Sequence, residues 1–358
     1  MSEVEKKEST NPPPTSISPT CTLSIMGMPE DAPWSEAFQK VTQQLIVNCG
    51  RFMDLSHLDG VTLGFDYDDA LASVDLGYES KIAKGYTNSD GLIGVGKMLR
   101  VRRDDAMKVH VVLNANVLMD LVDHELESDD FWSAANFLAH ELAHVEVNTW
   151  FETHSPGVMM AAHQGDWAVA AIRDAAHTIW EEYAACRLSA PFSQGTMTTL
   201  SYVQSFETSL SGTVPRARES IKLYRSHSDR SRLLIDTSRI VALPLKMAAY
   251  LMGHLDGLEE ELDLVSRCPM TSESGLEKHF DSLQGELRAA WETRKAWDGL
   301  AGVDGIVDVV LDALETVGVE LSLNQEPPGS TVCAPFTAES MPNGEADMEI
   351  IRIRQILG

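Results

Sequence analysis

Residues 129–147 read DDFWSAANFLAHELAHVEV. Phe131, Ala135, Leu138, Leu142 and Val145 recur at three- and four-residue intervals, the period of an α-helix, and Asp129 or Asp130 stands where a cap belongs. The predicted helix runs from Phe131 to about Val147 and carries His140, Glu141 and His144 in its middle. Residues four apart lie one turn above each other, so the two imidazoles project from one face toward a common point, the bite a zinc ion needs. Glu141 follows the first histidine directly, where its carboxylate can reach a water on the metal without filling the coordination sphere. The apolar positions offer packing surface that would fix the helix and with it the ligand geometry.

A hydrolytic zinc site has three protein ligands and one open position, so a third ligand should return from a separate element. Residues 148–165, with Pro156, Gly157 and Gly165, read as an ordered but mobile loop, after which Asp166 caps a helix to about Ser189 that Pro191 ends. That helix contains WEEYAACR, residues 180–187. Glu181 and Glu182 are each followed three residues later by an alanine, which leaves space for the helix to lie close against the first. On this pattern both acids are candidates.

Upstream, a helix is predicted from Pro33, with Trp34, Phe38, Val41 and Leu45 at helical spacing. Val61, Leu63 and Phe65 alternate with polar or small residues, residues 91–101 (GLIGVGKMLRV) suggest a bent strand, and residues 108–113 (KVHVVL) form a β-branched run. Together they predict a small sheet of about three strands, followed by a helix over 116–126. Beyond Pro191 helical periodicity dominates, over 251–265, 276–300 and 306–317, with breaks at Pro244, Pro269 and Gly302. Residues 325–344 read as loop, and the apolar end 348–357 as a docking strand or helix.

The formal net charge of −26 disfavours a nucleic-acid partner, because little of such a surface displaces counterions from phosphates. The same acidic excess favours solubility. Residues 216–239 are locally basic, and the preferred reading is that Arg218, Lys222, Arg225, Arg230 and Arg232 pair with the chain's own carboxylates. Cys21, Cys49, Cys186, Cys268 and Cys333 show no C-x-x-C spacing, so neither a disulfide framework nor a zinc ribbon is expected. Residues 1–20 are polar and proline-containing, without a secretory pattern, and the apolar stretch 240–251 holds Pro244 and Lys246 and is too short for a bilayer. The expectation is a cytoplasmic protein with no membrane partner.

The H-E-x-x-H helix followed by an E-x-x-A helix resembles the gluzincin metallopeptidases, in which a glutamate on the second helix completes the zinc site. Glu182 to Ala185 matches that setting, so the resemblance assigns the third-ligand role to Glu182, with Glu181 as the alternative. The family's acidic residue after the alanine is Cys186 here, so another group must orient a histidine ligand. The element order over roughly 33–190 also resembles the compact minigluzincin arrangement, an α+β zincin-like fold. In that resemblance the KVHVVL run is the sheet edge on which an extended peptide pairs.

The implied organisation is a disordered tail (1–25), a zincin-like domain (26–190), a helical accessory domain (191–325) and a loop-rich extension (326–358). The implied activity is peptide-bond hydrolysis on a peptide or protein substrate. The resemblance implies one Zn2+ per chain, held by His140, His144 and Glu182, with Glu141 as general base. Candidates to stabilise the oxyanion are His154, His163, His177 and Tyr183. Trp132, Trp150, Trp167 and Trp180 are read as core rather than a substrate wall. The alternative to a peptidase is an inactive zincin-fold regulator or protein-binding module.

Overall fold

In the computed structural model, residues 12–80, 84, 88–89, 92–123, 128–161, 165–272, 274–324 and 329–357 are described. The chain is α+β, with a small mixed sheet followed by a helical C-terminal part. It divides into two compact units, Met1–Leu126 and Glu127–Gly358.

In the first unit the elements are β1 (Thr22–Met26), α1 (Ser35–Phe52), β2 (Leu58–Gly64), α2 (Tyr67–Ser73), β3 (Asn88–Ser89), β4 (Leu92–Ile93), β5 (Gly96–Arg103), β6 (Ala106–Asn114) and α3 (Asp120–Asp123). Four strands form the main sheet in the order β1-β2-β6-β5; β1, β2 and β6 run parallel, and β5 pairs antiparallel with β6. Strand β1 takes in residues 22–25, so the tail expected to be disordered ends earlier. Ser16 is already anchored, its hydroxyl donating to the Gly50 and Met53 carbonyls.

The KVHVVL run lies in β6 and is interior, not the edge expected of it. Its backbone is taken by β2 on one side and β5 on the other. Val109, Val111, Val112 and Leu113 are fully buried, as a strand covered on both faces requires. His110 in this run is satisfied locally: Nδ1 lies 3.1 Å from Asp59 Oδ2 and Nε2 lies 2.9 Å from Thr62 Oγ1. Arg103 completes the set with a pair of bonds to Asp59. The expected helix over 116–126 is a 3-10 turn (Ala115–Leu118) followed by α3, and residues 124–126 lie outside those described.

The second unit comprises α4 (Asp129–His154), α5 (Trp167–Ser189), α6 (Met197–Leu210), α7 (Thr213–His227), α8 (Arg230–Gly257), α9 (Leu264–Arg267), α10 (Glu277–Thr293), α11 (Asp304–Thr316), β7 (Glu320–Asn324), β8 (Gly329–Cys333) and α12 (Glu345–Leu357). Helix α4 is capped by Ser128, whose hydroxyl accepts from the Phe131 amide, and it runs seven residues past Val147. From Leu138 to Phe151 every residue is buried, which makes it the axis of the unit. Helix α8 passes straight through Pro244, where a break was expected. The buried proline forfeits one backbone bond, while the apolar run 240–255 keeps the helix docked. The C-terminal segment expected to be loop-rich contributes β8, paired antiparallel with β7, and a terminal helix.

Helices α4 and α5 lie antiparallel, tied at one end by Asn136 Nδ2 donating to the Ser189 carbonyl and at the other by Asn148 Nδ2 donating to Glu181 Oε1. Fully buried Ala139, Ala143, Ala184 and Ala185 keep the pair close. On the far side α8 approaches α5 through Gly253 and Gly257. A β-carbon at Gly253 would fall on the Tyr183 carbonyl oxygen, and one at Gly257 on that of Arg187, so only glycine permits this separation. Asp256, between them, accepts from Tyr183 at 2.6 Å and from Arg288 at 3.0 and 3.1 Å.

His254, buried on α8, bonds Thr199 through Nε2 and has no partner on Nδ1. Burial lowers its pKa from 6.5 to about 4, outweighing the opposing charge of Glu260. The folded chain thus holds a neutral ring where the unfolded chain is protonated. The stability this supplies is complete above pH 6.5 and is lost as pH falls toward 4. We expect His254→Gln to remove roughly 2 kcal/mol of the wild-type loss between pH 7 and pH 4 in urea titrations. Parallel pH profiles for the two proteins would contradict it.

Candidate metal centre

Helix α4 turns His140 and His144 toward α5, and there the two meet Glu182. Its Oε2 lies 3.3 Å from His140 Nε2 and 3.6 Å from His144 Nε2. This oxygen is buried and receives no hydrogen bond. Ligands about 2.1 Å from a tetrahedral ion stand about 3.4 Å apart, and the observed separations match that spacing. His140, Glu141 and His144 themselves form a buried group, 6, 8 and 8 % exposed, whose ligand atoms lie within 4.8 Å of one another and can hold a metal ion.

The neighbouring acid takes a different place. Glu181 Oε1 lies 3.5 Å from His144 Nδ1 and accepts from Asn148 Nδ2, which also donates to the His144 carbonyl. Its other oxygen lies 3.8 Å from His177 Nδ1. Adjacent residues on a helix point about 100° apart, so one acid reaches the Nε2 side and the other the Nδ1 side. The acid that stands behind His144 is therefore Glu181, at 3.5 Å from Nδ1 and without a formed hydrogen bond between them. At His140 the corresponding neighbour is Cys186, whose Sγ lies 3.6 Å from Nδ1. Burial, with the charge of Glu182, raises the Cys186 pKa well above the ordinary thiol value and keeps it neutral.

The electrostatics describe a cation site. Burial disfavours charge on His144, yet the hydrogen-bonding reach of Glu181 and the charges of Glu182, Glu181 and Glu141 overcome it and raise the imidazole to about 9. Burial likewise opposes charge on Glu182, but His140, His144 and Lys246 hold its carboxyl below the usual range. Glu141 moves the other way. Its burial, only partly offset by the two histidines, raises its pKa and makes it the more basic carboxylate.

Among the described residues, none of the expected oxyanion donors faces this point. Tyr183 spends its hydroxyl on Asp256 and accepts from Arg187. His177 sits behind Glu181. His154 ends α4 about 15 Å along the axis from His144, where it lines a small cavity with Trp150, Phe151, Trp180 and Trp297. His163 lies outside the described residues.

The residue at the site that the sequence reading missed is Tyr250 on α8. Its ring stacks on His140 with centroids 5.5 Å apart and planes at 19°. Burial and the nearby Glu182 carboxylate push its phenol pKa well up, so it stays a donor. Tyr202 on α6 adds a second hydroxyl, 3.4 Å from Asn136 Oδ1. No local motif marks either tyrosine; only the packing of α6 and α8 brings them in.

Trp150 and Trp180 are core residues, whereas Trp167 is exposed and Trp132 half-buried. In the basic segment Lys222 pairs with Glu219 and Arg232 with Asp236, as expected. Arg218 and Arg225 instead take backbone carbonyls of Pro335, Ala338, Glu339 and Ser340. Among the described residues no helix is long and apolar enough to cross a membrane. No protein-family model, curated protein or solved structure matches this chain.

Proposed function

We propose that the chain is a zinc-dependent metallopeptidase of gluzincin type, with His140, His144 and Glu182 as ligands and Glu141 as general base. The observation that carries this reading is the unsatisfied Glu182 oxygen standing at ligand spacing from both Nε2 atoms. Zinc, when bound, supplies Lewis acidity and brings the pKa of the water it holds to about 7. Glu141 would accept a proton from the attacking water and return it to the leaving amine. Tyr250 donates its phenol proton toward the developing oxyanion. Glu181, beside His144 Nδ1, and Cys186, beside His140 Nδ1, would position the two imidazoles as ligands through Nε2.

The slight exposure of the site favours a second reading, a zinc-bearing regulator whose cleft admits no substrate. Labelling of new protein termini in a proteome treated with wild type or with Glu141→Gln separates the two. The peptidase reading expects cleavages that depend on Glu141, and the regulator reading expects none from either protein.

The two glutamates should also separate on metal affinity. Glu182→Gln replaces a charged ligand and is expected to weaken zinc binding by more than 10³-fold, about 4 kcal/mol. Glu181→Gln leaves the ligands in place and should cost about 10–100-fold. Competition with a chromogenic chelator measures both, and a larger loss for Glu181→Gln would reverse the assignment.

A further inference from the structure

The α8 face that brings Tyr250 against His140 also carries a cation, Lys246, one helical turn earlier. Its ammonium is within electrostatic reach of the Glu182 carboxylate. Lys246 is half-buried, and among the described residues it makes no hydrogen bond or ion pair. The other half-buried cations of the second unit all have partners. Arg173 meets Asp304, Arg187 meets Asp256, Arg267 meets Glu260, Arg218 and Arg225 take carbonyls, and Arg294 stacks on Trp291. In a chain with a net charge of −26, a half-buried lysine whose ammonium forms no ion pair and is met only by the field of Glu182 is the exception.

Charge at the site gives that exception a use. Zinc brings two positive charges, and Glu141, Glu181 and Glu182 bring three negative ones, so the centre alone repels an anionic substrate. Lys246 restores neutrality at the α8 wall. We infer that Lys246 is a specificity-determining residue that receives a substrate carboxylate close to the scissile bond, either the free C-terminal carboxylate or an Asp or Glu side chain. This rests on the metallopeptidase reading and adds to it the chemical class of the substrate. It assigns to Lys246 no part in bond cleavage.

Ligand binding to the zinc-loaded full chain tests this without turnover. The probes are three malonyl hydroxamates, which grip zinc through the same group and end in glycine, in glycinamide or in the α-amide of aspartic acid. The expected result is that at least one acidic probe binds wild type about tenfold or more tightly than the glycinamide probe, the size of a charged hydrogen bond. In Lys246→Gln that preference should vanish with glycinamide binding and zinc content retained, and Lys246→Arg should restore it. Preference for the glycine probe identifies the C-terminal carboxylate as the source, and preference for the aspartate probe identifies a side chain.

Two outcomes overturn the inference while leaving the metal reading intact. One is equal binding of all three probes to wild type, or a preference that survives in Lys246→Gln. The other is a parallel loss of zinc and of glycinamide binding in Lys246→Gln, which would make Lys246 a support for Glu182. Failure of wild type itself to hold zinc would instead remove the metallopeptidase reading, and this inference with it.

Discussion

Glu141→Gln is expected to lower the rate of peptide hydrolysis by about 10²–10⁴-fold while zinc remains bound at one per chain. The two side chains share a shape, and Glu141 is buried, so an uncharged amide costs the fold nothing in packing. What the variant loses is the site that accepts a proton from water and hands it to the leaving amine. Burial raises the carboxylate's basicity, against the opposing pull of the two histidines. The check is a single-turnover rate on any peptide that wild type cleaves, with zinc measured on the same samples. A variant that keeps zinc and cleaves at the wild-type rate would remove Glu141 from the mechanism.

The second large effect is expected far from the metal in sequence. Gly253→Val forces a branched side chain into the place where α8 touches the α5 backbone, with Cys186 Cβ as a further neighbour at 3.1 Å from the first added carbon. Neither helix can yield locally, because the obstruction is a carbonyl inside a helix, so the two must separate. We expect a loss of about 3 kcal/mol or more in unfolding free energy. A weakening of zinc affinity should accompany it, since separation carries Tyr250 away from His140 and shifts Glu182. Gly285→Ala is the internal control. It lies in α10 with open space around its β-carbon position, and there alanine should stabilise by about 0.5–1 kcal/mol. Equal effects at the two glycines would mean that the α5–α8 contact does not hold the site.

The His140–His144 face was legible because it is local: four residues of helix fix the relation between two imidazoles whatever surrounds them. The choice between Glu181 and Glu182 was not, because it depends on how α5 is rotated about its axis. Ala184, Ala185 and Gly253 set that rotation by the approach they permit, and Gly253 lies some seventy residues downstream of the two acids. Tyr250 and Lys246 were invisible for the same reason.

The sheet offers the opposite lesson. Val109, Val111, Val112 and Leu113, interrupted only by His110, form a mostly apolar β-branched run, and such a run marks an interior strand. That signal was present in the sequence, and the family resemblance pointed away from it. Strand β1 was missed because five residues next to a proline-containing tail give too short a pattern to register. Helix α8 was split at Pro244 because proline removes a backbone donor, yet burial on both sides of the residue keeps the helix whole.

X-ray absorption at the zinc edge, on full-length protein reconstituted with one equivalent of metal, tests the central claim most directly. The account predicts one tightly held zinc per chain with two imidazole nitrogens and carboxylate and water oxygens at about 2.0–2.2 Å. It also predicts that this signal collapses in His144→Ala. Stoichiometric zinc with sulfur in its shell, zinc retained unchanged in His144→Ala, or no zinc taken up at all would contradict it.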